Sequence, residues 1–290
     1  MNKEQRIKII KSTATTRILN AMESSDKNWI QEWTGGNAEL PVNPTTKISY
    51  SGINVMWLMM QGCPSNKWAG YKQWKKAGRQ VKFEETGTDI IRVVPIQEKD
   101  ENGKKTGETI PVIKVLKVFN ESQLTDYEHQ EVQATDPGWV HQEIDDMIKQ
   151  LGINIQYGTE ASYNHITDII TLPEQKAFKS TEGTAKQNYY GTKLHEISHW
   201  TGHESRLNRN LSKKDKIRYA KEELIAEFTA TLLSAYYGIE HTPLKSHAQY
   251  LNGWIDILKV DNEVIWETAK TAHEAMDYIV TNGKSLAKVA

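Results

Sequence analysis

At 290 residues, with 38% apolar side chains and 36 basic residues against 37 acidic ones, the chain is long enough to bury one large core or two ordinary ones, and its formal charge is -1. That balance excludes a protein-wide field able to draw in nucleic acid or an anionic membrane, so any basic binding surface has to be local. No apolar run approaches the roughly 20 residues that span a bilayer, and the N-terminus lacks the apolar core of a secretory signal, so the expected location is cytoplasmic.

Taken in chain order, Ile7, Ile10, Ala14, Ile18 and Met22 recur at helical spacing and predict one long amphipathic helix over 4–24. GGNAELPVNPTTKISYSGIN is rich in turn residues and reads as loop, and VMWLMM reads as the start of a buried helix. The single cysteine, Cys63, reads as a small buried residue; alone, it excludes an internal disulfide and a cysteine-rich zinc cluster, so any metal has to sit on histidine and carboxylate. The β-branched runs TDIIRVVPIQ and TIPVIKVLKVF, separated by the polar EKDENGKKTGE, predict a hairpin with a long solvated tip.

NESQLTDYEHQEVQATDPGW has no periodicity, which places a domain boundary near residue 130 and gives domains of 1–130 and 131–290. Beyond it, VHQEIDDMIKQLG reads as a helix closed by Gly152, INIQYG and DIITLP as short strands, and everything from about 186 as helix. The fold class is α+β: a small α+β domain, then a mostly helical domain with a short sheet. Strands ahead of a helix that carries HEISH resemble the zincin arrangement.

His195 and His199 stand three residues apart in KLHEISHWTGH, so on a helix both imidazoles project from one face and reach one tetrahedral ion. Glu196, beside the first histidine, is placed to take a proton from the attacking water and hand it to the leaving group. A catalytic zinc needs a third protein donor, and three readings stay open. Glu223 in YAKEELIAEFTATLLSAYYG is the ligand, with Glu227 one turn on orienting a histidine, as in the glutamate-zincin plan; or Glu227 is the ligand and Glu223 faces solvent; or His203 serves, in a near-match to H-E-x-x-H-x-x-G-x-x-H in which Ser205 stands at the last histidine's place. Glu222, Glu223 and Glu227 also fit an exposed acidic face, but Leu224, Ile225, Phe228, Leu232 and Leu233 make the helix largely buried, and buried carboxylates need a cation. For His203, Arg206, Tyr219, Tyr189 and Tyr190, packing is the simpler role. DIITLP, if it lay at a sheet edge, would offer a main-chain ladder to an extended peptide.

WLMMQGCPSNKWAGYKQWKKAGRQVKF interleaves aromatics with cations, a combination suited to single-stranded nucleic acid through base stacking and phosphate neutralisation. The candidate contacts are Trp68, Lys72, Trp74, Lys75, Lys76 and Arg79, against the plain alternative that the tryptophans are core.

Together the two halves resemble a known family. PVNPTTKISYSGINVMWL, WAGYKQWKKAGRQV and VFNESQ resemble the N-terminal single-stranded-DNA-binding domain of ArdC-type antirestriction proteins, and DIITLP, YYGTKLHEISHWTGHESRLNR and YAKEELIAEF resemble the zincin-like metallopeptidase domain fused to it. The resemblance covers nearly the whole chain. It departs at KFEETGTD, where the family has a basic, glycine-rich turn, and at the highly charged tip over 98–108. The resemblance implies a protein of a bacterial mobile element that binds single-stranded DNA entering a new host and helps it evade restriction. Joined to the motif, it gives the first reading: a Zn2+ site on His195, His199 and Glu223 with Glu196 as general base, and peptide hydrolysis of a protein substrate as the implied chemistry. Two rivals stand beside it: a zinc that is structural or vestigial, with DNA protected by binding alone, and a peptidase whose N-terminal domain recognises protein. Histidine and carboxylate donors also accept manganese or nickel.

Overall fold

A computed structural model of the chain describes residues 40–99, 105–128, 140–180, 184–212, 214–239 and 263–284, with scattered helical residues inside 5–23 and 254–259. Those described between 5 and 23 are helical, as the spacing predicts; Ile7, Ile10, Ala14, Ile18 and Met22, which carry the predicted stripe, lie outside the described residues.

The stretch expected as loop holds a minimal hairpin, β1 (Val42–Asn43) antiparallel to β2 (Ile48–Ser49). Asn43 folds the turn: its Oδ1 accepts from the backbone N–H of Thr45 at 3.0 Å and of Thr46 at 3.3 Å, and Lys47 closes it with φ of 58°. The apolar run that follows forms α1 (Ile53–Met59), buried over most of its surface. Asn54 ties α1 to the neighbouring sheet by two hydrogen bonds with the backbone of Ile91, at 2.6 and 3.0 Å.

That sheet has the order β3 (Trp68–Ala69), β5 (Lys105–Asn120), β4 (Thr88–Lys99), all antiparallel, and α2 (Tyr71–Lys76) follows β3. Pairing runs from Thr88 opposite Val118 to Lys99 opposite Lys105, with a register shift between Gln97 and Lys99. The ladder therefore enters the segment expected as tip, since polarity alone does not bar a residue from an antiparallel pair.

The second half opens with α3 (Gln142–Leu151), which ends where expected because Gly152 takes the left-handed conformation, φ 63° and ψ 32°. Three short strands follow, β6 (Asn154–Tyr157), β7 (Ser162–Asn164) and β8 (Ile169–Leu172). The order is β6-β8-β7, with β6 parallel and β7 antiparallel to β8. β8 is thus the central strand and not an edge, and its backbone is already paired on both sides. The edge strand beside the following helix is β7, which the sequence reading passed over.

α4 (Ala185–Trp200) starts at a capping box: Thr184 Oγ1 accepts from the N–H of Gln187 at 3.2 Å, and Gln187 Oε1 accepts from the N–H of Thr184 at 2.7 Å. α5 (Lys216–Tyr236) is capped by Asp215, which accepts from Ile217 and Arg218. α6 (Glu263–Asn282) packs on α5 and buries Ala269, Ala272 and Ala275. Among the described residues no helix is long and apolar enough to cross a membrane.

One apolar cluster runs through Val55, Met56 and Met59 of α1, Ile144 and Met147 of α3, Ile170 and Leu172 of β8, Leu194 and Ile197 of α4, Leu224 and Phe228 of α5 and Ile265 and Ile279 of α6. It joins segments from both sides of the boundary proposed near residue 130. A small cluster of Leu58, Trp68, Ile90 and Val118, and another of Ala69, Trp74, Val81 and Leu124, complete the N-terminal half.

Candidate metal centre

α4 and α5 cross with their buried faces together, and the chemistry collects at the crossing. His195 and His199 lie one turn apart on α4, and α5 sets Glu223 opposite both. The two Nε2 atoms are 3.2 Å apart, Glu223 Oε2 is 3.4 Å from Nε2 of His195, and Glu223 Oε1 is 3.5 Å from Nε2 of His199. Bonds of about 2.0–2.1 Å at tetrahedral angles put neighbouring donors about 3.3 Å apart. The two imidazole nitrogens stand at that spacing, and the Glu223 carboxylate faces both of them, one oxygen towards each. Among the described residues, this is the group of histidine, cysteine and carboxylate atoms that converges within 4.8 Å.

The other ring nitrogens are held from outside. His195 Nδ1 lies 3.1 Å from Glu227 Oε2, and His199 Nδ1 lies 3.2 Å from Glu222 Oε1. Nδ1–H donated to a carboxylate leaves each Nε2 lone pair for a cation, which sets the tautomer as well as the ring orientation. All five of these side chains are buried, and Glu223 is only 3% exposed, so the reading that put it in solvent does not describe this helix. Glu196 is buried on α4 between the two histidines in sequence.

Burial opposes charge on both imidazoles, but the surrounding carboxylates outweigh it and hold the pair protonated above the ordinary histidine range. Burial likewise works against ionised Glu223 and Glu222, yet hydrogen bonds from the histidines, and from Arg209 to Glu222, keep both below the usual carboxylate range.

His203 stays outside the centre, in the loop after α4, with its Nδ1 2.8 Å from Ser205 Oγ. Gly202 completes the longer motif for a packing reason: a Cβ there would stand 2.8 Å from Leu211 Cδ2 and 3.1 Å from the carbonyl oxygen of His199. Arg206 lies over the Trp200 ring at 3.9 Å and donates to Asp168 at 3.0 Å and to the hydroxyl of Tyr163 at 3.0 Å, fastening this loop to the turn between β7 and β8. Tyr190 accepts from the N–H of His141 at 2.7 Å, and the Lys193 ammonium lies 4.7 and 5.1 Å from the Tyr189 and Tyr190 ring centres. These are the packing roles expected of them.

The N-terminal candidates divide. Trp68 and Trp74 are each 2% exposed, and Trp74 Nε1 donates to the carbonyl of Phe119 at 3.0 Å. Neither indole face is open to a base, so both belong to the core. Arg79 is neutralised by Glu121 and Asp126 and lies 5.4 Å from the Trp74 ring centre, which removes it as a free phosphate contact. Lys72, Lys75 and Lys76 are exposed, and the exposed aromatics are Tyr71 at 44% and Phe83 at 93%. Helical phase within YKQWKK carries this division, since Lys72 and Lys76 fall nearly opposite Trp74 and Lys75 lies about 100° round from it. Trp74→Ala is therefore expected to lower the unfolding free energy by about 3–5 kcal/mol, against roughly 0.5 kcal/mol or less for Lys75→Ala, as read from urea denaturation.

Two residues in the centre escaped the sequence reading. Glu222 was grouped with its neighbours as an acidic face, and Arg209 was not singled out. An adjacent Glu222–Glu223 pair on a buried helix was the available signal, since consecutive side chains diverge by about 100° and address different partners.

The chain joins a zincin-like metallopeptidase domain to an ArdC N-terminal domain: residues 142–271 match the model of a zincin-like metallopeptidase, and residues 8–119 match the N-terminal domain of anti-restriction factor ArdC. The crystal structure of the metal-free antirestriction protein ArdC from plasmid R388 is 31% identical and superposes with a TM-score of 0.75, covering 94% of this chain and 97% of that one. Its Mn(II)-bound form is 29% identical, with a TM-score of 0.74 over 95% of this chain and 98% of that one. The chain belongs to the ArdC family of antirestriction proteins. It is also 32% identical over 284 residues to the DNA primase TraC of Escherichia coli; the match takes in 91% of this chain and 19% of the primase, so the chain spans about a fifth of that relative's length.

Proposed function

We propose that the chain protects incoming DNA: residues up to about 130 hold single-stranded DNA, and the remainder carries a Zn2+ site that hydrolyses a peptide bond in a protein substrate. The observation that carries the reading is the convergence of one donor atom each from His195, His199 and Glu223 within 4.8 Å of one another. When bound, the cation supplies Lewis-acid chemistry, acidifying water and polarising the scissile carbonyl. The chain's own residues do the rest. Glu196 takes the proton of the attacking water and delivers it to the departing amine nitrogen, while Glu227 and Glu222 hold the two imidazoles in register.

A purely structural ion fits less well. Structural zinc sites close with four protein donors and their domains unfold without metal. Among the described residues three donors converge, and the metal-free and Mn(II)-bound R388 structures both superpose on this chain, with TM-scores of 0.75 and 0.74. The manganese of that relative supports a divalent cation, and the two-imidazole, one-carboxylate set favours zinc among those available.

For the DNA half, the sequence likeness to a protein named as a DNA primase and to the ArdC N-terminal domain supports a nucleic-acid partner. Lys72, Lys75 and Lys76 supply exposed cations, and Tyr71 and Phe83 take the stacking role that the buried tryptophans leave. A protein meeting entering DNA works in the cytoplasm of a mobile element's host.

Fluorescence anisotropy with labelled oligo(dT) tests this half. Binding should weaken as salt rises, and replacing the three lysines by alanine should flatten the log–log slope by about 2, at about 0.7 per phosphate contact on a single strand. Absence of salt-dependent binding by the wild-type chain would favour a protein-recognition role for the N-terminal half.

A further inference from the structure

Arg209 lies between α4 and α5, its guanidinium largely buried, with the side chain 9% exposed and four hydrogen bonds. Its Nε and Nη2 donate to the two oxygens of Glu222 at 3.0 and 2.8 Å. Nη2 also donates to the carbonyl of Ser198 at 2.8 Å, and Nη1 to the hydroxyl of Thr201 at 2.8 Å, both at the end of α4. Glu222 Oε1 is in turn 3.2 Å from His199 Nδ1. The guanidinium thus locks the plane of the Glu222 carboxylate against the backbone of the helix that carries His199.

We infer that Arg209, acting through Glu222, positions His199, fixing its ring rotation and presenting its Nε2 to the cation. This inference rests on the metal reading proposed above and assigns roles to two residues that the histidine motif does not include. Three features support it. A bidentate arginine fork fixes a carboxylate in a way that a single-point donor cannot. Gly202 leaves room for this approach, because a Cβ there would lie 3.0 Å from Arg209 Nη2 and the guanidinium would have to give by a few tenths of an ångström. His195 has its own carboxylate, Glu227, so Glu222 gives the second histidine an equivalent support and α5 supplies both. A buried ion pair is weak as a pure stabiliser, since desolvation cancels much of the attraction. Two hydrogen bonds from the guanidinium to a carboxylate that itself contacts the His199 ring, and two more to the end of the helix carrying that ring, are better explained by orientation than by stability.

The test separates positioning from structure. Zinc affinity, by competition with a chromophoric chelator, and the absorption spectrum of the Co(II)-loaded protein are measured well below the melting temperature. The proteins are wild type, Glu222→Gln, Arg209→Lys and the double variant Glu222→Leu/Arg209→Met. Circular dichroism and oligo(dT) binding check that each is folded. Replacing a buried pair by apolar groups of similar volume preserves folding in many proteins, so the double variant isolates orientation. Zinc affinity should fall roughly 10–100-fold in all three variants, with an altered Co(II) ligand-field band. A folded double variant with wild-type zinc affinity and an unchanged Co(II) spectrum would overturn the inference while leaving the metal reading intact. A wild-type protein that takes up neither zinc nor cobalt would overturn both.

Discussion

Wild-type protein should carry one zinc per chain, Glu223→Ala should carry none after dialysis, and Glu227→Ala should retain zinc at an affinity lowered about 10–100-fold. The difference follows from where the two carboxylates sit. Glu223 faces both Nε2 atoms, so its loss leaves two donors where a catalytic zinc site has three. Glu227 faces only the outer nitrogen of His195 among the distances that define the centre, so its loss frees a ring without removing a donor. Elemental analysis beside chelator competition reads both numbers. The reverse pattern would make Glu227 the ligand, and no zinc in any protein after supplementation would shift the functional case to DNA binding alone. Affinity should also rise with pH up to about pH 9–10, because the imidazole protons have to leave before the cation enters. The sign is fixed by the carboxylates, which hold those protons above the ordinary histidine range and make acid the stronger competitor.

Glu196→Gln should leave zinc content and oligonucleotide binding unchanged and slow hydrolysis of a labelled, denatured protein by about 10²–10⁴-fold. The amide keeps the shape of the side chain but has no basic oxygen to accept a proton from water. Among the residues brought together here it is the change that removes the proton transfer without touching a donor to the cation. The biological readout is entry of unmodified plasmid DNA into a restricting host. Protection should be lost with Glu196→Gln if chemistry is required. Protection that survives the substitution would assign defence to DNA binding and leave the centre without a catalytic part in it.

Much of this architecture was legible in the chain. Gly152 announced the end of α3, the β-branched runs announced the long hairpin, and HEISH with EELIAEF announced the crossing of α4 and α5. Periodicity reports which face of an element is apolar, but not which neighbour will pair with it. For that reason DIITLP was readable as a strand and its central place was not: strand order depends on where the chain returns, and β7 is only three residues long. The tryptophans failed differently. Composition cannot separate an indole that stacks on a base from one that fills a core, although the phase of α2 against its lysines held the answer. Arg209 was hidden because the loop that delivers it has no period at all.

The apolar floor shared by α1 and α6 has a consequence for inheritance. An exchange that replaced only one half would strand Val55 and Met56 against an unfamiliar partner, or uncover Ile265 and Ile279, and either exposes the kind of patch that drives aggregation. Recombination should then move the whole segment or none of it. The likeness to the much longer primase extends over 91% of this chain and so takes in parts of both halves.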